Sequence, residues 1–231
     1  MGELRLIAIG GGGFTHGTDP DLDAFVVRQS GRARPRVGYI GTASHDDPVR
    51  IARFSERFAG LAEQLTHLPD GSSRKAASDW LNGLDVLYVG GGNTLHLVET
   101  WRTTGLDDLL FQAAHDGVLL AGVSAGAACW FEYALSDSGG AGLAPLRGLG
   151  LFRGSLCPHY SSEPQRPPAF QRSVADGSLP DGLAIDDGVA VLVGDNGPRF
   201  AVSARAGSSA YRVCRNGNVA VTSVIETRSA R

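Results

Sequence analysis

A serine stands between two glycines at Gly122-Val123-Ser124-Ala125-Gly126, behind an apolar run and ahead of small residues that suit a helix. This is the G-x-S-x-G pattern, whose chemistry needs a strand before the serine and a helix after it. In that setting the hydroxyl projects from the sheet edge, and small residues at 122, 125 and 126 relieve the crowding of a sharp reversal. The Ala125 N–H then lies where an oxyanion would develop during attack on a carbonyl. A serine nucleophile also needs a base. Of six histidines, His45, His67 and His115 lie in polar or helical segments, and His96 belongs to a helix beginning at 94. His16 follows the first glycine cluster, and His159 follows a short apolar segment ending in Pro158-His159-Tyr160. Both can reach a cleft, and the opening of a strand into a loop favours His159. No pair of histidines or carboxylates shows metal-ligand spacing.

The elements that must position these groups alternate along the first half. Segments 4–10, 36–43, 85–92 and 118–124 read as buried strands. Segment 47–65 carries Val49, Ile51, Phe54, Phe58, Leu61 and Leu65 at helical spacing, with Pro48 suited to a first turn. Further helices are read in 74–84 and 94–117, the latter broken at Gly105. Strand and helix in this order predict a mixed, mostly parallel sheet with helices on both faces. Beyond Ser124, 182–193 and 209–226 read as strands, the second a hairpin turning at Asn216-Gly217. These place antiparallel strands toward one edge. With no linker or repeat, one α/β domain spanning 1–231 is expected. In such a sheet function gathers beyond the carboxyl ends of the strands, where three glycine-rich segments fall: 10–13, 90–94 and 122–126. The first lacks the G-x-G-x-x-G order of a dinucleotide fold.

Composition narrows the partners. The 231 residues include 21 basic and 24 acidic ones, a net charge of −3, which disfavours nucleic acid or an anionic membrane as the main partner. Three scattered cysteines (Cys129, Cys157 and Cys214) form neither a disulfide framework nor a zinc motif. No run approaches membrane-spanning length, so a cytoplasmic protein is expected.

The segments GGGNT (90–94), GVSAGA (122–127) and PHY (158–160), taken together, resemble the peptidase E family of serine peptidases. That family includes aspartyl dipeptidases and is related to cyanophycinase. Its fold is similar to the class I glutamine amidotransferases (flavodoxin-like), where the elbow residue is cysteine. The resemblance implies Ser124 as nucleophile, His159 as general base, and the Gly91 or Gly92 N–H opposite that of Ala125 in an oxyanion hole. Asn93 and Thr94 would cap the next helix and shape the pocket floor, a role their N-cap chemistry independently suits. The triad acid would fall between nucleophile and histidine, where Asp137 matches; Asp186 and Asp187 form a second candidate pair. A preference for N-terminal aspartate would require a cation, for which Arg166 is the first candidate and Arg147, Arg153 and Arg172 the others. No cofactor or metal is implied. The expected partner is a small peptide, and a homodimer is compatible. The reading is a peptidase or dipeptidase of short peptides. The alternatives are a β-aspartyl or cyanophycin-like amide hydrolase, and a non-catalytic ligand-binding member of the amidotransferase-like fold.

Overall fold

The computed structural model describes residues 3–140 and 142–230. The chain runs β1 (Arg5–Ile9), α1 (Gly13–His16), α2 (Pro20–Gln29), β2 (Arg36–Ile40), α3 (Pro48–Phe58), β3 (Gln64–His67) and α4 (Arg74–Leu81). It continues through β4 (Val86–Val89), α5 (Thr94–Thr104), α6 (Leu106–His115), β5 (Leu119–Val123) and, after Ser124, the single turn α7 (Ala125–Ala128). Then follow β6 (Phe131–Ser136), β7 (Ala144–Arg147), β8 (Phe152–Cys157), α8 (Arg166–Asp176), β9 (Gly182–Ile185) and β10 (Val189–Gly194). The last strands are β11 (Gly197–Ser203), β12 (Ala210–Asn216), β13 (Val219–Val224) and β14 (Thr227–Ser229).

The first sheet has the order β14-β11-β10-β1-β5-β4-β2-β3. Its pairs from β1 to β3 are parallel, while β10 pairs antiparallel with both β1 and β11. The mixed α/β sheet with antiparallel strands toward one edge is therefore as the sequence predicts. Alternation explains how both faces are covered. On β1, Leu6 and Ala8 face one apolar cluster and Ile7 and Ile9 the other; on β4, Leu87 and Val89 oppose Val86 and Tyr88. The Ile7 face packs against α1, α2 and α3 through Phe14, Leu22, Phe25, Phe54 and Phe58.

The other face departs from the expectation. Beside α5 and α6, it packs against a second, six-stranded sheet of order β13-β12-β9-β8-β6-β7, which supplies Phe131, Phe152, Leu156 and Leu183 to the same core. The far side of that sheet is covered by α8 through Phe170 and Val174. The segment 182–193, read as one strand, is two: β9 lies in the second sheet and β10 in the first, so the chain changes sheets at Asp186-Asp187-Gly188. The helix read over 47–65 ends at Phe58, and Leu65 lies instead in β3, paired with Val37 of β2. The break at Gly105 stands, with φ 68°. The hairpin of β12 and β13 also stands, with Asn216 opposite Val219 so that Gly217 and Asn218 form the loop. No described helix is long and apolar enough to cross a membrane.

Two features of this core bear on the glycine loops. Phe14 anchors the short α1 by edge-on contacts with Tyr39, Phe54, Phe58 and Tyr88, at centroid distances of 5.5, 5.6, 5.9 and 4.9 Å. Such pairs contribute roughly 0.5–1.5 kcal/mol each beyond burial. Beneath α1, Asp23 is fully buried, 3.4 Å from the Arg57 guanidinium but without a hydrogen bond to it. Burial pushes its carboxyl up to about 7, and the Arg57 charge opposes this without overcoming it. The folded state therefore holds a proton that the unfolded chain releases near its ordinary value of 3.8. The contribution of Asp23 to stability should be full below that value and be lost as pH rises toward about 7, by at most about 1.4 kcal/mol per pH unit. Denaturation midpoints of Asp23→Asn and the wild type across pH 4–8 should differ in slope in that sense. Parallel profiles would show that Asp23 does not titrate this way.

Candidate active site

Ser124 has φ 54° and ψ −114°, a conformation that L residues seldom adopt. It is fixed there by its neighbours: its N–H donates to the Ile9 carbonyl at 2.9 Å, and its own carbonyl accepts from Ala127 and Ala128. The flanking glycines are required by close approach. A methyl group on Gly122 would lie 2.0 Å from the Gly126 carbonyl oxygen, and one on Gly126 would lie 2.2 Å from that of Val89. His159, just beyond β8, also has positive φ, 53°. Two strained residues facing each other mark a functional arrangement.

The Ser124 Oγ is 2.8 Å from His159 Nε2, and His159 Nδ1 is 2.6 Å from Asp187 Oδ1. With the imidazole proton on Nδ1, donated to the carboxylate, Nε2 is left to accept from the serine hydroxyl. Burial acts to raise the Asp187 pKa. The hydrogen bond and charge of His159, the Ser162 hydroxyl and the Arg205 guanidinium outweigh it and hold the carboxyl below its usual range. Asp187 is thus an anion throughout the neutral range, suited to stabilise an imidazolium.

The change of sheet at 186–188 delivers this acid. Gly188 N–H donates to the Gly11 carbonyl at 2.9 Å, drawing the segment against the first glycine cluster. A methyl on Gly11 would lie 2.1 Å from Asp187 Oδ1 and 2.7 Å from His159 Nδ1, so only glycine leaves room for the pair. The adjacent Asp186 does a different job. Buried, it accepts from the N–H groups of Ser161 at 3.0 Å and Ser209 at 2.9 Å, pinning the loop that carries His159.

A family model for peptidase family S51 matches residues 6–200. The chain belongs to peptidase family S51. It is a serine-type peptidase, and the peptidase E resemblance stands. It is 41% identical over 215 residues to the uncharacterized peptidase YgaJ of Bacillus subtilis (strain 168), covering 90% of this chain and 91% of that one. Two solved structures share the fold. One is a peptidase from an acI-B1 Actinobacterium, with TM-score 0.71 and 16% identity over 97% of this chain and 95% of that one. The other is a candidate peptidase E protein from Listeria monocytogenes EGD-e, with TM-score 0.63 and 20% identity over 86% and 98%.

Within this S51 peptidase the remaining sequence expectations divide. Gly91 lies against the serine, since a methyl there would be 3.4 Å from Ser124 Cβ. Among the described residues, the N–H groups of Gly91, Gly92 and Ala125 have no acceptor. Gly92 has φ 143°, and a methyl on it would strike the Ala43 carbonyl oxygen at 2.1 Å. Asn93 caps α5 by accepting from His96 N–H at 2.8 Å. Thr94 is buried, and its N–H donates to Ser138 Oγ at 2.9 Å.

That last bond bears on Asp137, which the structure does not bring to His159. It ties the loop after β6 to the start of α5, leaving the Asp137 side chain exposed while Asp187 takes the place beside His159. Arg166 is also not a free cation. It is buried, with Nε 2.8 Å from Glu163 Oε2 and Nη1 3.2 Å from the Leu135 carbonyl, so it holds α8 to β6. Arg147, Arg153 and Arg172 are exposed. His16 does not bond Ser124: its Nδ1 lies 3.2 Å from Gly12 N, and its ring stands edge-on to that of His159, 6.2 Å away. The turn after the elbow is four residues long, so the oxyanion would meet individual N–H groups rather than the end of a long helix. Burial pushes the Cys157 thiol up to about 12 against the pull of Arg166, and raises that of Cys129 as well, so both stay protonated thiols. A cavity of about 430 Å3 between the sheets, lined by Phe131, Phe152, Leu183 and Arg212 among others, includes none of Ser124, His159 and Asp187.

Proposed function

We propose that Ser124, His159 and Asp187 form a catalytic triad that cleaves short peptides from one end, as a dipeptidase or exopeptidase of the peptidase E type. The observation that carries this reading is the continuous relay from Oγ to Nε2 and from Nδ1 to Oδ1, at 2.8 and 2.6 Å. His159 takes the Ser124 proton as Oγ attacks the peptide carbonyl carbon. The carbonyl oxygen becomes an oxyanion facing the free N–H groups of Gly91 or Gly92 and Ala125. His159 then gives its proton to the leaving amine as the C–N bond breaks. Water, deprotonated by the same imidazole, attacks the acyl-enzyme and releases Ser124. Asn93 and Thr94 would border the pocket on the oxyanion side. A purely ligand-binding role gives no reason for two residues at positive φ to meet through their functional atoms.

Among end-groups, N-terminal aspartate is the first to test. With Arg166 held by Glu163 and Leu135, a strict aspartate preference would need a different cation. A panel of Asp-X, other X-X dipeptides, tripeptides, N-blocked peptides and β-aspartyl isopeptides should show turnover of unblocked α-peptides. Turnover confined to β-aspartyl isopeptides would select the isopeptide hydrolase instead. Mass spectrometry after treatment with a fluorophosphonate should place the adduct on Ser124. A protein that stays unlabelled and hydrolyses none of the panel would overturn the peptidase site.

A further inference from the structure

The sequence VRIARFSER (49–57) in α3 places Arg50, Arg53 and Arg57 at intervals of three and four, on one helical face. That face is turned toward the glycine loops. Arg50 Nη1 donates to the Gly91 carbonyl, Arg53 Nη1 donates to the Thr15 carbonyl at 3.1 Å, and Arg57 reaches Asp23. Arg50 is braced from behind by Asp47, the α3 N-cap, whose Oδ2 lies 3.7 Å from its Nε. Its side chain is only 28% exposed, so the guanidinium is partly withdrawn from water.

We propose that Arg50 is a positioning residue for the oxyanion hole: by holding the Gly91 carbonyl it sets the direction and strength of the Gly92 N–H. The peptide between Gly91 and Gly92 is trans, so the carbonyl and the N–H lie in its plane and point in opposite directions across the C–N bond. A carbonyl fixed on the arginine side turns the N–H away from α3, and Gly91 lies directly against Ser124. On its far side Gly92 is held against Ala43, whose carbonyl accepts from Asn93 N–H at 2.7 Å, and the arginine bond is the restraint on the Gly91 carbonyl itself. The cation also draws electron density toward the carbonyl oxygen, which makes the N–H a better donor to a developing negative charge. Nothing in this role moves a proton.

The inference rests on Ser124 being the nucleophile, and the test separates the two. The full chain is treated with a fluorophosphonate: Ser124 Oγ bonds to phosphorus, fluoride leaves, and the serine proton passes to His159. The limiting rate, the half-saturating concentration and the pH midpoint of labelling are measured for wild type, Arg50→Met, Arg50→Gln and Arg50→Lys, with thermal unfolding as the check on folding. Arg50→Met should lower the limiting rate by about 10- to 100-fold while half-saturation stays within about twofold and the pH midpoint is unchanged. Arg50→Lys, which keeps a charged donor, should recover most of the rate, and the neutral donor of Arg50→Gln should fall between. An unchanged limiting rate in folded Arg50→Met, a loss confined to half-saturation, a moved pH midpoint, or a lysine variant as slow as the methionine one would each overturn it. Wild type left unlabelled at Ser124 would instead remove the nucleophile assignment, and this role with it.

Discussion

Ser124→Ala is expected to fold as the wild type does and to lose turnover by about 10⁴- to 10⁶-fold, the scale seen when a triad nucleophile is removed. Its unfolding temperature should barely change, because alanine at φ 54° carries the same backbone strain as serine and the main-chain bonds at 124 remain. The lost contact is the 2.8 Å bond to His159 Nε2, which faces partly open space. Ser124→Gly separates strain from chemistry. It should be as inactive, yet more stable than Ser124→Ala by about 1 kcal/mol, since glycine adopts positive φ at little cost. Steady-state assays on the peptide panel and thermal unfolding measure both. Peptide hydrolysis by Ser124→Ala within about tenfold of wild type would show that another group attacks the substrate.

The parts of this site that were legible in the sequence are those whose local geometry is set by local residues. The elbow needs small groups at 122 and 126, and the close approaches to Gly126 and Val89 carbonyls are what wrote those glycines into the chain. The parallel strands were legible because fully buried strands leave short, continuous apolar runs. His159 stood out because a strand ends just before it. The acid was not legible in the same way. The apolar run through GLAIDDGVAVLV looks the same whether it lies in one sheet or crosses between two, and only tertiary packing separates β9 from β10. Its Asp-Asp-Gly interruption was the one local sign. Arg166 misleads for a related reason: nothing local distinguishes a solvated arginine from one folded back onto Glu163 three residues earlier. Likewise β3 was hidden inside an amphipathic pattern, because a four-residue edge strand carries too few residues to declare a period.

The contrast among three aspartates gives the most selective test of the triad. Asp187→Asn should lower kcat by about 10⁴-fold with the fold intact. The asparagine amide can donate toward Nδ1, which moves the imidazole proton to Nε2 and leaves nothing there to accept from Ser124. It also removes the anion that stabilises the imidazolium. Asp186→Asn should act differently, because that carboxylate accepts from two backbone N–H groups and never meets the imidazole. An asparagine oxygen can keep one of those bonds, so the expected result is a loss of stability of roughly 1–3 kcal/mol with a much smaller change in kcat. Asp137→Asn, on an exposed loop, should change neither. Rates against pH and unfolding midpoints for the three variants resolve the matter. A large loss in Asp137→Asn with near-normal rates in Asp187→Asn would mean that the working enzyme rearranges its loop after β6 to bring Asp137 to His159, and that the pair at 2.6 Å is not the catalytic one.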